Sequence, residues 1–115
     1  MKKYILIIAM IFLIGMTNKK EIDYQNEFCV NGIKEYVLKD KSRIDCLTDT
    51  YAIEIDFSKK VYECIGQSIY YSIETNRKPA CALIFDKNNK SDIRYLKRLK
   101  VVAKKYDIKI FIIDK

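Results

Sequence analysis

The segment that decides the fold is Ser42–Tyr71, with the sequence SRIDCLTDTYAIEIDFSKKVYECIGQSIYY. Alternating apolar and polar residues predict one strand over Ser42–Leu47 and a second over Tyr51–Phe57. A helical pattern follows over Lys59–Thr75, with Ser58 as its expected N-cap. Each strand carries a carboxylate in its interior, and the helix carries lysine, glutamine and tyrosine. The segment therefore contains the main candidates for functional residues.

Five further elements are predicted outside this segment. A short amphipathic helix over Lys20–Val30 precedes a strand over Ile33–Leu38, which a hairpin turn joins to the central segment. The almost entirely apolar run Ala80–Phe85 predicts a strand that is buried on both faces. A basic helix over Asp92–Tyr106 and a strand over Ile108–Ile113 complete the chain. This order predicts a mixed sheet flanked by helices, an α/β (α+β mixed sheet) fold.

The central helix has two stripes of different character. Its apolar stripe has the four-residue spacing of a buried face and consists of Val61, Ile65, Ile69 and Ile73. At about 100° per residue, a second stripe on the opposite side contains Lys60, Gln67 and Tyr71. An ordinary solvated face has the same composition, so this stripe becomes informative only together with the acids on the strands.

The carboxylates on the strands are the strongest chemical signal. Because side chains alternate across a strand, Glu54 and Asp56 share one face of their strand, and Asp45 lies within the neighbouring strand. A carboxylate inside an apolar strand is unfavourable unless it is paired or binds a cation. Two or three acids with few other ligands suit Mg²⁺ or Mn²⁺. A buried ion pair with Arg43 is the alternative.

Charge and composition narrow the classes of function. The 115 residues carry a net charge of +7 and contain no histidine. Without histidine, Ser-His-Asp and Cys-His catalysis, histidine-ligated zinc and nucleases with a histidine base are excluded. The positive charge favours nucleic acid or a membrane surface as partner, although a surface simply coated with lysine explains it equally well.

The N-terminus, MKKYILIIAMIFLIGMTNKK, has two lysines followed by an apolar run from Tyr4 to Met16. These 13 residues are fewer than the roughly 20 that span a bilayer, and their flanks favour a signal peptide over residues 1–17. No A-x-A cleavage motif follows, so a membrane tether through residues 4–16 is the alternative. The sequence thus predicts a single domain over 20–115 that is exported (periplasmic or secreted) or membrane-anchored, without excluding the cytoplasm.

Four cysteines lie at positions 29, 46, 64 and 81, and none belongs to a C-x-x-C pair. A zinc ribbon or a thioredoxin-type site is therefore not expected. Behind a signal peptide, four cysteines allow two disulfides in three pairings. Because each cysteine lies in an apolar context inside a predicted element, we expect all four to pack as small hydrophobic residues, with disulfides as the alternative.

These motifs resemble those of a known superfamily. The pattern of Asp45, Glu54 and Gln67-x-x-x-Tyr71 is similar to that of the PD-(D/E)xK, or restriction-endonuclease-like, nucleases, in the branch that carries Q-x-x-x-Y on the helix after the catalytic strands. Residues 35–84 are also similar to a compact family of uncharacterised bacterial and phage proteins in that superfamily. The resemblance covers about residues 24–113, and the predicted order α-β-β-β-α-β-α-β matches the restriction-endonuclease-like core.

The resemblance implies a role for each residue of the motifs. Asp45 and Glu54 would ligate Mg²⁺ or Mn²⁺, which polarises the phosphate and lowers the pKa of a bound water. Lys60 would orient that water or offset the charge that grows on phosphorus. Gln67 and Tyr71 would position the substrate or the groups around it, and Glu35 and Asp56 would be additional acids of the site. The basic helix Lys97–Lys105 would contact backbone phosphates.

One position departs from the superfamily pattern. The strand motif is usually E-x-K, whereas Glu54-Ile55-Asp56 has an aspartate where the lysine belongs. Lys60, just beyond the strand, lies where a migrated lysine would need to be. We therefore expect a Mg²⁺- or Mn²⁺-dependent nuclease acting on DNA or RNA, with DNA favoured. Two alternatives remain open: a catalytically inactive nucleic-acid-binding domain of this fold, and a small exported structural or interaction protein.

Overall fold

The central segment forms the middle of a single sheet. The structure is a computed structural model that describes residues 19–115. Its elements lie close to the predicted positions, with most boundaries shifted by one or two residues. In chain order they are helix α1 (Glu21–Phe28), strands β1 (Ile33–Val37), β2 (Arg43–Leu47) and β3 (Tyr51–Phe57), a 3-10 turn (Ser58–Lys60), helix α2 (Val61–Thr75), strand β4 (Lys78–Phe85), helix α3 (Lys90–Tyr106) and strand β5 (Lys109–Asp114).

The five strands are arranged in the order β1-β2-β3-β4-β5. The first three strands form an antiparallel meander. β4 is parallel to β3, and β5 is parallel to β4, because α2 and α3 return the chain to the end of the sheet at which the preceding strand began. The predicted mixed sheet flanked by helices is confirmed.

Strand β4 lies at the centre of the parallel part of the sheet. Its register runs from Tyr51 opposite Lys78 to Phe57 opposite Ile84 on one side, with β5 on the other. Residues 80–84 are all buried, as the continuous apolar run predicts for a strand covered on both faces.

Helices cover the two faces of the sheet unequally. On one face, Tyr24 of α1 packs with Ile53 and Ile55 of β3. On the other face, α2 and α3 together bury a cluster formed by Val61, Cys64, Cys81, Leu83, Leu99, Ala103 and Ile108. Ala52 packs with Tyr71 of α2, so the alternation of β3 places Glu54 and Asp56 on the face beneath α2.

The buried stripe of α2 differs from the predicted isoleucine stripe. Its buried residues are Val61, Cys64, Ser68 and Tyr71, whereas Ile73 is 73% exposed. The C-terminal half of the helix lies over β2 and β3, where Tyr71 packs with Ile44, Leu47 and Ala52. Contact with these strands therefore turns Tyr71 inward and leaves Ile73 in solvent.

The start of α2 also differs from the prediction. Ser58 does not cap the helix, because its hydroxyl donates a hydrogen bond to the backbone carbonyl of Ile84 at 3.0 Å. Ser58 begins the 3-10 turn, and Lys60 occupies the N-cap position without a side-chain cap. Ser58 thus ties the end of β3 to β4.

The cysteines fall into two pairs. Cys29 and Cys46 form a disulfide with a Cα–Cα distance of 5.7 Å, so the expectation that all four pack as free thiols is wrong for this pair. The end of α1 lies beside β2, a tertiary contact that local sequence does not reveal. A Cβ on Gly32 would come within 2.8 Å of Cys46 Sγ, so this close approach requires glycine. Cys64 and Cys81 are free and buried, as expected.

The predicted signal peptide or tether, residues 1–17, lies outside the described residues. Among residues 19–115, none of the helices combines the length and the apolar character needed to cross a bilayer.

Candidate functional site

The candidate site lies where β2 and β3 stop pairing. Their ladder consists of Cys46 opposite Ile53 and Leu47 opposite Ala52. Beyond these two pairs, backbone N–H groups of the strands donate to side-chain carboxylates and no longer to backbone carbonyls. The backbone N–H of Ile55 donates to Asp45 Oδ2 at 2.8 Å, and the backbone N–H of Asp45 donates to Glu54 Oε1 at 3.4 Å. The end of this ladder therefore opens the sheet beside the two predicted metal ligands.

The backbone of β1 is also irregular at this level. Glu35 has a φ of 54°, in the left-handed region that a residue with a side chain rarely adopts. It lies between the pairs Lys34–Cys46 and Tyr36–Ile44, hence across from Asp45. The side chain of Glu35 is exposed, and its charge contributes to the raised pKa of Asp45. Such strain is found more often at functional sites than elsewhere.

Asp45 and Glu54 form a hydrogen-bonded acid pair. Burial, followed by the charges of Asp45 and Asp56, raises the pKa of Glu54 to about 10. Burial also raises the pKa of Asp45, to about 6, although the Ile55 N–H and the hydrogen bond with Glu54 favour its ionised form. Of the two, Glu54 has the more strongly raised pKa, so it is the member of the pair that holds a proton more tightly.

Asp56 is the third acid of the site. It is 5% exposed, and its Oδ2 is the one buried side-chain oxygen or nitrogen within residues 19–115 that lacks a hydrogen-bond partner. Burial, followed by the charges of Glu21 and Asp45, raises its pKa to about 7. A buried oxygen of this kind is unfavourable unless it gains a partner. We refer to Asp45, Glu54 and Asp56 as the acid cluster.

Lys60 lies near enough to Asp56 for its charge to act on that acid, and its role as a migrated lysine stays a prediction. Its Nζ is 3.9 Å from Glu21 Oε2, and its charge lowers the pKa of Asp56, against the larger effect of burial. It is exposed and belongs to the 3-10 turn. Because the regular helix begins at Val61, the spacing of about 100° per residue that predicts the alignment of Lys60 with Gln67 and Tyr71 does not extend to Lys60.

The two residues of the predicted Q-x-x-x-Y motif differ in their burial and in their position relative to the acid cluster. Tyr71 is buried, and its phenol lies close enough to the acid cluster that burial and the charge of Glu54 raise its pKa. Gln67 is exposed and has no side-chain hydrogen bond to any of residues 19–115. The structure thus brings Tyr71 to the site and leaves Gln67 in solvent.

Two polar residues of α1 also belong to the site and were not predicted. Glu21 pairs with Lys60 and raises the pKa of Asp56. Gln25 is 3% exposed, and its Nε2 donates to the backbone carbonyl of Asp45 at 3.0 Å. Their four-residue spacing already indicates a shared helical face. The sequence does not show that this face lies against β2, so the two residues could not be assigned to the site from it.

The arrangement sets a limit on how a metal ion can bind. Within residues 19–115, no three acidic or cysteine side chains are grouped so that one ion could be held by all of them. Ca²⁺ takes six to eight oxygen ligands in all, whereas Mg²⁺ is commonly held by one or two carboxylates together with waters and phosphate oxygens. The pair of Asp45 and Glu54 fits the second pattern.

No family model matches this sequence, and comparisons with curated proteins and with solved structures gave no significant match.

Proposed function

We propose that this domain is a metal-dependent nuclease that hydrolyses phosphodiester bonds in nucleic acid, with DNA the favoured substrate. The observation that supports this most strongly is the acid cluster itself. Three neighbouring carboxyl groups have pKa values raised by burial, and Asp56 Oδ2 has no partner among residues 19–115. A divalent cation would remove the repulsion between these acids and allow them to ionise at neutral pH.

Mg²⁺ or Mn²⁺ is the cation that the proposal requires. Asp45 and Glu54 would hold it, and when bound it would polarise a phosphate oxygen and lower the pKa of a coordinated water. The N–H of Ile55 already fixes the orientation of Asp45 Oδ2, and Gln25 holds the Asp45 backbone. Both contacts would keep the carboxylate in place while the ion and substrate exchange.

Lys60 would supply the positive charge that usually comes from the strand lysine. It is close to the acid cluster and on a flexible side chain that is 44% exposed, so it can move from Glu21 towards a phosphate oxygen. Its place between Glu21 and Asp56 allows it to offset negative charge that develops during hydrolysis. Tyr71 would position groups behind the metal ligands.

The restriction-endonuclease-like core is part of the proposal. Its support is the element order α-β-β-β-α-β-α-β in one mixed sheet, together with acids on the second and third strands where these strands separate. The Cys29–Cys46 disulfide supports the proposed export, because disulfides persist mainly in oxidising compartments.

A second function, nucleic-acid binding without cleavage, is supported by one observation. Asp56 occupies the place of the strand lysine and is itself buried, with an oxygen that has no partner among residues 19–115. If Lys60 stays paired with Glu21, Asp45 and Glu54 would still hold an ion, but no positive side chain would act on the phosphate. Binding that weakens with salt, without cleavage, would identify this case.

Metal binding by matched variants tests the site directly. Calorimetric titration of the full chain with Mg²⁺ and Mn²⁺ should show binding that is lost in Glu54→Gln and in Asp45→Asn. Asp49→Asn is the control, since Asp49 is exposed in the turn between β2 and β3 and should bind like the parent. Circular dichroism would establish that each variant is folded. Unchanged affinity in both site variants would reject the assignment.

A further inference from the structure

A second feature of the molecule is a cavity at the carboxyl ends of the parallel strands. Its volume is about 420 Å³, and it is lined by residues at the ends of β3 and β4 and in the first turns of α3. It begins at Phe57, the residue that follows Asp56 of the acid cluster. In sheets with parallel strands, ligands bind preferentially beyond the carboxyl ends of these strands.

The charged side chains around this cavity are predominantly basic. Lys19, Lys59 and Lys115 line it against a single acid, Asp92. Lys19 is bound to Glu27 at 2.8 Å. Neither Lys59 nor Lys115 has an ion-pair partner among residues 19–115. We call this the basic cavity.

The acid in the basic cavity is already engaged. Asp92 Oδ2 accepts a hydrogen bond from the backbone N–H of Asp86 at 2.9 Å. Asp92 also belongs to the cap of α3, since its own N–H donates to Asn89 Oδ1 at 3.0 Å. Its carboxylate is thus held by the backbone at the end of β4, and its own N–H by the cap of α3.

Two neutral side chains provide unused hydrogen-bond donors. The Oδ1 atom of Asn89 is used in the cap of α3, which leaves its NH₂ group free. Ser91 Oγ accepts from Arg94 Nη2 at 3.1 Å, so the hydroxyl proton remains available to a ligand. The cavity therefore combines two lysines that lack an ion-pair partner in the described chain with two neutral donors, and Arg94 adds a positive charge behind Ser91.

We propose that the basic cavity binds a phosphate group of the nucleic-acid strand, next to the phosphate that is cleaved at the acid cluster. This inference builds on the proposed nuclease function and assigns to the cavity the anchoring of the substrate. Ammonium, amide and hydroxyl donors match the oxygens of a phosphate. Lys59 and Lys60 are consecutive, so one turn serves both sites. Lys60 faces the acid cluster, and Lys59 lines the cavity.

Anchoring at this position would give the two lysines different kinetic effects. Lys59 would bind a phosphate that does not react, and it would contribute equally to the ground state and the transition state. Its loss should raise KM and leave kcat unchanged. Lys60 would act on the reacting phosphate, and its loss should lower kcat.

The test measures phosphate binding directly, in EDTA and without any cleavage. Amide spectra of the ¹⁵N-labelled full chain are recorded during titration with inorganic phosphate and, separately, with a short single-stranded oligodeoxynucleotide without terminal phosphates. We expect saturable shifts at residues 58–60 and 89–92 with both probes. Lys59→Met should weaken both affinities about three- to tenfold. Lys78→Met is the control, because Lys78 pairs with Tyr51 at the opposite end of β3.

The outcomes separate this inference from the proposed function. Shifts elsewhere, or equal affinities in the parent and Lys59→Met, would overturn the basic cavity as a phosphate site even if the protein cleaves DNA. Shifts with inorganic phosphate alone would overturn the role in anchoring a strand. Shifts with both probes would support the cavity even if the protein does not cleave DNA.

Discussion

Replacing Asp56 by asparagine should remove part of the pH dependence of stability. The folded protein raises the pKa of Asp56 from 3.8 to about 7, chiefly through burial. The folded state therefore holds a proton that the unfolded chain releases. This contribution to stability is fully present below the unfolded pKa and is lost as pH rises towards 7. An asparagine side chain at this position carries neither the proton nor the charge, so Asp56→Asn should lack this loss.

The expected size follows from the pH interval between the two pKa values. Between pH 5 and pH 7 the unfolded carboxyl is ionised while the folded one still holds its proton, so the free energy of unfolding falls by about 1.4 kcal/mol per pH unit until the folded group titrates. Allowing for partial solvent screening, we expect the free energy of unfolding of the parent to fall by about 2 kcal/mol more than that of Asp56→Asn between pH 5 and pH 8. The difference should have the same sign without and with salt, because Asp56 is buried.

Urea unfolding at the two pH values, followed by circular dichroism in EDTA, measures this difference. Asp49→Asn is again the control for loss of an exposed carboxylate, and it should follow the parent. Equal falls in stability for Asp56→Asn and the parent would refute the conclusion that Asp56 is a buried acid with a raised pKa. A larger fall in Asp56→Asn would refute the sign of the shift.

Two further predictions concern catalysis and the disulfide. Lys60→Met should lower kcat by a factor of about 10²–10³ and retain metal binding, by analogy with the loss of a group that stabilises developing charge. The exposed control Lys78→Met should retain full activity. Equal kcat values for the two variants would reject a catalytic role for Lys60. Reducing the Cys29–Cys46 disulfide, which spans a sequence separation of 17, should lower the free energy of unfolding by about 3 kcal/mol, and unchanged urea unfolding in reductant would contradict this.

Periodicity predicted the sheet because its strands carry strong local signals. The run at residues 80–84 is apolar on both faces, and the structure buries all of it. The acids Asp45 and Glu54 were also evident from the sequence, since a charge inside an apolar strand stands out against its neighbours. These features depend on local pattern alone.

The contacts that sequence did not reveal are non-local. Glu21 meets Lys60, and Cys29 meets Cys46, only because α1 folds back against the end of β3 and against β2. The buried face of α2 depends in the same way on which strands lie beneath its last turns. A helical stripe indicates that one face is buried, but packing determines where that face lies, here along the line from Val61 to Tyr71.

Incubation of the full chain with circular and linear DNA tests the central claim most directly. Parallel reactions contain Mg²⁺, Mn²⁺ or EDTA, with Glu54→Gln as the matched inactive variant. The proposed function predicts cleavage by the parent with Mg²⁺ or Mn²⁺, none with EDTA, and none by Glu54→Gln under any condition. Intact DNA in every reaction with the parent, or equal cleavage by Glu54→Gln, would contradict it.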